Sequence, residues 1–92
     1  MSDDVDRQFR RILPTLREVE REVKQSGLTG KDQAALLTML TARLLGTTGA
    51  TMAAVSAAAA GEPLDKSDEN IVAWSKVVAD HVVDLLRSGA AI

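Results

Sequence analysis

Two places in the sequence hold the residue types that do chemistry. Asp65-Lys66-Ser67-Asp68-Glu69-Asn70 gathers carboxylates, a hydroxyl and an amide within a few positions, the raw material of an oxygen-ligand cation site. It lacks the glycine and the distal glutamate of an EF-hand loop, so capping of a following helix accounts for it better. His81, the one histidine, falls at the edge of an apolar helical face near Trp74. A packed surface histidine is the ordinary reading there, and no Ser or Cys nucleophile stands in a recognisable motif with it. The absence of cysteine removes disulfides and thiolate zinc sites, and a single imidazole is too few for the usual histidine sites. Neither a nucleotide-binding loop nor an acid/base pair at diagnostic spacing is present. The expectation is a non-enzymatic protein with no cofactor, no metal and no small-molecule substrate.

A chain of 92 residues, 46% apolar and 26% charged, fits one small helical domain spanning 1–92. Domains of this size bury only roughly 60% of their unfolded surface. Without disulfides or zinc, a partner chain is the remaining common source of stability, which favours self-association. A net charge of −2 exerts no global pull toward nucleic acid or an anionic membrane. The stretch Met1 to Asp6 is acidic and has no apolar segment, so no signal peptide is expected and the expected location is cytoplasmic. Abundant alanine, with arginine over lysine, suits a bacterial or phage chain.

The elements that would position any site are helices. Ser2 ahead of Asp3 and Asp4 makes a capped, dipole-matched N-terminus. From there Val5, Phe9, Ile12, Leu16, Val19 and Val23 are spaced 4, 3, 4, 3, 4, a heptad seam held for nearly three repeats. The pattern predicts a helix over 3–26, kinked at Pro14 rather than broken, because the heptad phase continues across the proline. Asp3 with Arg7, Asp6 with Arg10 and Glu20 with Lys24 are expected as ion pairs at i,i+4. No basic residue flanks the seam, so a parallel zipper with its own copy would have no attractive pairs, and packing on other helices of the fold is preferred.

Ser26-Gly27 ends this helix, and Thr29 with Asp32 opens a second over 30–60. Between Ala34 and Ala60 the only charged residue is Arg43. A helix apolar all round is normally buried, so this segment should lie in the middle of a helical assembly. Arg43 must carry its guanidinium out to water along its stem or meet a carboxylate. Gly46 to Gly49 with Thr47, Thr48 and Thr51 is the weak point: a break there would give four helices instead of three. A continuous helix is preferred, with Gly46, Gly49, Ala50, Ala53 and Ala57 forming a stripe of small residues that lets another helix come very close.

The run Ala42 to Val55, with alanine, then glycine four residues later, and apolar Leu45, Met52 and Val55, resembles the helix-turn-helix signature. The resemblance implies a DNA-binding regulator as an alternative. Its recognition helix, Thr48 to Ala60, contains no Arg, Lys, Asn or Gln, so it could neither neutralise phosphates nor make bidentate base contacts. Leu44 to Gly61 is also uncharged over about the minimum spanning length, which keeps a membrane-associated or pilin-like subunit as a further alternative. Its Ala, Thr, Ser and Gly content is barely favourable in hydrocarbon, so a buried helix is preferred.

The last helix is expected over 67–88, with Ile71, Trp74, Val78, Val82 and Leu85 on one face and Lys76, Asp80, Asp84 and Arg87 on the other. Trp74, the one tryptophan, is either a core anchor or a hot spot for a partner. The overall expectation is an all-α protein, a three-helix bundle completed by oligomerisation. It acts as a protein–protein interaction module such as a small regulator, adaptor or assembly subunit. Its partners are a second copy and another protein, engaged through the seam from Val5 to Val23, Arg43 and Trp74.

Overall fold

The computed structural model describes residues 2–89. Among them are three α-helices and no strand: α1 (Asp3–Lys24), α2 (Gly30–Ala60) and α3 (Asp68–Ser88). The expected all-α class is the one found, and α2 runs unbroken through Gly46 to Gly49. By internal contacts the chain divides into two compact units, one reaching to Met39 and the other starting at Leu40, so that α2 contributes to both.

In the first unit, α1 opens where the Val5 N–H donates to Ser2 Oγ at 3.3 Å, and Asp3, Asp4 and Asp6 occupy its positive end. The helix continues through Pro14. It stops at Lys24, two residues before the expected end, because the Ser26 hydroxyl donates to the Val23 carbonyl at 2.6 Å and Gly27 adopts φ 80°. The Asp32 N–H then donates to Thr29 Oγ1 at 3.2 Å, which starts α2 as expected. The ion pairs depart from expectation. Those within 4.0 Å among the described residues are Asp4 with Arg7, Glu18 with Arg21 and Asp84 with Arg87, all at i,i+3. Neighbours three apart are as accessible on a helix as those four apart, and exposed pairs of this kind contribute at most ~1 kcal/mol.

In the second unit, α2 from Leu40 and α3 form a helical hairpin. The two turns of α2 richest in poor helix formers are held by their own hydroxyls. Thr47 donates to the Arg43 carbonyl at 3.1 Å, Thr48 to Leu44 at 2.9 Å and Thr51 to Thr47 at 2.9 Å. The hairpin turns through a Schellman motif: Glu62 N–H donates to the Ala57 carbonyl at 2.9 Å, Gly61 N–H to Ala58 at 3.2 Å, and Gly61 sits at φ 68°. α3 ends likewise on Gly89 at φ 75°.

The hairpin closes on small residues. A Cβ built on Gly49 would strike Ser75 Oγ and would lie 2.9 Å from the Ser75 backbone nitrogen and 3.1 Å from the Ile71 carbonyl oxygen. The stripe of small residues in α2 is thus where α3 comes in, at backbone contact. Gly46, one turn earlier, would meet nothing within 4 Å. The two glycines should therefore respond oppositely to the same substitution. Gly49→Ala is expected to lower stability by about 1–3 kcal/mol, since backbone cannot step aside for the new methyl. Gly46→Ala is expected to raise it by up to ~1 kcal/mol through helix propensity. Urea denaturation of the two variants beside the parent checks both signs.

Candidate functional site

Within the stretch from Asp65 to Asn70, Asp65, Ser67 and Asn70 are engaged in capping. Before α3, the Ser67 N–H donates to Asp65 Oδ1 at 2.9 Å, the Asn70 N–H donates to Ser67 Oγ at 3.3 Å, and Asn70 Nδ2 donates to the Asp65 carbonyl at 2.9 Å. This is an Asx-turn feeding an N-cap, so Ser67 lies just outside the helix it was expected to begin. The backbone N–H of Ser67, and then its side chain, hold the Asp65 carboxyl below the ordinary value of 3.8. His81 is exposed on α3. Among the described residues no group of three or more His, Cys, Asp or Glu is arranged to hold a metal ion.

The stretch resembling a helix-turn-helix, Ala42 to Val55, lies inside one uninterrupted helix. The turn between two helices that such a motif needs is not formed there. Among the described residues, no helix is long and apolar enough to cross a membrane.

What remains is apolar surface. Along the α1 seam, Val5, Phe9, Ile12 and Leu16 are exposed, Phe9 at 42% and Ile12 at 58%, while Val19 is half-buried and Val23 buried. Arg43 is exposed and makes no ion pair among the described residues, as a side chain reaching out to water would. Trp74 is half-buried on α3, in phase with half-buried Ile71 and Val78. The seam lies in the first unit, and Arg43 and Trp74 lie in the second.

The central segment differs from its expectation. Only Gly49 and Ala53 of α2 are buried; Leu36 and Leu45 are half-buried, and most of its other bulky residues face outward, Leu44 at 64% and Val55 at 58% exposed. The physical reason is the small-residue contact with α3: the side of α2 that is covered is the side with the least to cover. α3 similarly exposes Val72, Val77, Val83 and Leu86. These residues were missed as candidates, although the three- and four-residue spacing of Leu44, Thr48, Met52 and Val55 was there to read. An open groove of about 370 Å³ lies between the two helices, lined by Gly46, Leu45, Val72, Ser75, Lys76 and Ala79 among others.

No family model, curated protein or solved structure matches this chain.

The Asp65 turn carries a pH signature. A carboxyl whose folded pKa is depressed adds stability that is complete above its unfolded value and is lost as pH falls through the folded one. Asp65→Asn is therefore expected to lower the melting temperature relative to the parent near neutral pH, with the difference shrinking below pH 3.8. Thermal melts of both chains across that range check it.

Proposed function

We propose that this chain is a non-enzymatic helical interaction module that works as a homo-oligomer and engages another protein, in the manner of a small regulator, adaptor or assembly subunit. A cytoplasmic place of work and a bacterial or phage origin belong to the same proposal. One observation carries it: most bulky apolar side chains lie outside. Among the described residues eighteen large apolar ones are at least 36% exposed, whereas the buried apolar positions are Val23 and Ala53.

Magnitudes decide what that means. Covering the exposed half of a Leu, Val or Phe contributes about 1 kcal/mol, so eighteen such residues hold back roughly 15–25 kcal/mol of unrealised burial. That is as large as the whole net stability of a typical domain, about 5–15 kcal/mol. A chain that leaves so much uncovered gains more from association than from any rearrangement of its exposed ion pairs. The engagement of the Ser2, Thr29 and Ser67 hydroxyls and the Asp65 carboxylate at helix ends is in keeping with that reading.

Self-association is expected to appear as a melting temperature that rises with protein concentration, together with a light-scattering mass above that of one chain. A single-chain mass with concentration-independent melting speaks against the homo-oligomer.

A further inference from the structure

The two sides of the α2–α3 hairpin are chemically unequal, and the inequality says which of them meets a copy of itself. On α2, Leu44, Thr48, Met52 and Val55 recur at spacings of 4, 4 and 3. At 100° per residue they line one side of the helix, about a third of a turn from the Gly49 and Ala53 edge that meets α3. On α3, Trp74 and Leu85 fall on one side of Ser75, while Val72, Lys76 and Ala79 line the open groove on the other. In a hairpin, the edges away from the groove face the same way. The α2 and α3 sets therefore merge into one surface.

No Asp, Glu, Lys or Arg of α2 from Leu40 or of α3 falls on this surface, where His81 stands beside Trp74. Lys76 lines the groove, and by helical spacing Arg43, Glu69 and Arg87 lie on that half of their helices. Two-fold pairing sets a patch against itself, so each charge near the axis meets a like charge. The groove side, which carries charges of both signs, would have to bury them in such a pairing at a desolvation cost. The other side would not.

Its size also fits. A helix of 21 residues is about 31 Å long. Two helices 8–10 Å apart therefore present a face of roughly 30 by 18 Å. With the relief of its side chains, such a face approaches the ~800 Å² per partner of a stable interface. Trp74, half-buried at its edge, is the residue type that anchors such contacts.

Resting on the self-association proposed above, we infer that the uncharged side of the hairpin, around Leu44, Met52, Val55 and Trp74, is covered by the same side of a second copy of this chain, making a two-fold, four-helix core.

Sedimentation of the full chain over a wide concentration range tests this, with circular dichroism to verify helix content. Leu44→Glu and Val55→Glu alter exposed positions, so each is expected to keep its helices. Each should weaken the dimer at least ~100-fold, because a charge would be buried without a partner. Val83→Glu, toward the groove side, should leave dimerisation within about threefold. A readout that needs no variant is the emission of Trp74, the only tryptophan. It should move to the red as the parent chain is diluted through its dissociation. Dimers that persist in both Leu44→Glu and Val55→Glu, or that come apart instead with Val83→Glu or Phe9→Glu, overturn the assignment of this face while leaving self-association intact. A parent chain that sediments as a single copy at every concentration overturns self-association and this face together.

Discussion

The contact on which the second unit depends is the meeting of two backbones. At Gly49 the α2 chain passes so close to Ser75 and Ile71 that no side chain fits between them. Such a contact gives dispersion over a tightly fitted strip but encloses very little apolar volume, because its own residues are glycine and alanine. Much of the large apolar surface is displaced from the strip. The outward Leu44 and Val55 of α2, and Val72 and Leu86 of α3, follow from that one close approach. A leucine-lined crossing would have done the reverse, holding the helices apart and consuming the bulky residues as core.

The closeness of the hairpin also accounts for the peculiar chemistry of α2. A helix that spends Gly49 on proximity loses propensity there, by roughly 1 kcal/mol, and Gly46 one turn earlier costs as much without such a contact. Thr47, Thr48 and Thr51 follow immediately, and their hydroxyls return to carbonyls one turn back. Those bonds satisfy the hydroxyls within the helix itself. Charge in α1 is segregated in a parallel way. By heptad position its basic residues, Arg7, Arg10, Arg11, Arg17, Arg21 and Lys24, all lie away from the seam, and Asp6, Glu20 and Glu22 flank it.

Helix ends were the most legible part of the sequence, because each is signalled by a group with a local task. Ser2, Thr29 and Ser67 accept orphan N–H groups, and Gly27, Gly61 and Gly89 take positive φ. The small-residue stripe in α2 was legible for the same reason: its only sensible use is close approach. Two features were not. The partner of each α1 carboxylate depends on rotamers, which choose freely between i+3 and i+4, and the three-residue choice prevailed for Asp4 and Glu18. The exposure of Leu44 and Val55 escaped because uniform apolarity was equated with burial. Hydrophobicity says that a face seeks cover, but whether cover exists in the same chain depends on how much of the neighbouring helix is spent elsewhere.

That distinction bears on where function can reside. In a catalytic protein some polar groups are left over after the backbone has been satisfied, and their unsatisfied state is what makes them reactive. Here the Asp65 carboxyl owes its lowered pKa to the Ser67 amide that it caps. Its perturbation reports structure rather than readiness to react. Ser26 and Asn70 are likewise committed to the Val23 and Asp65 carbonyls. The surplus in this molecule is not polar but apolar, spread along helix faces rather than gathered in a cavity. A surplus of that form is discharged by another surface laid against it, and this is the support for the interaction module proposed above.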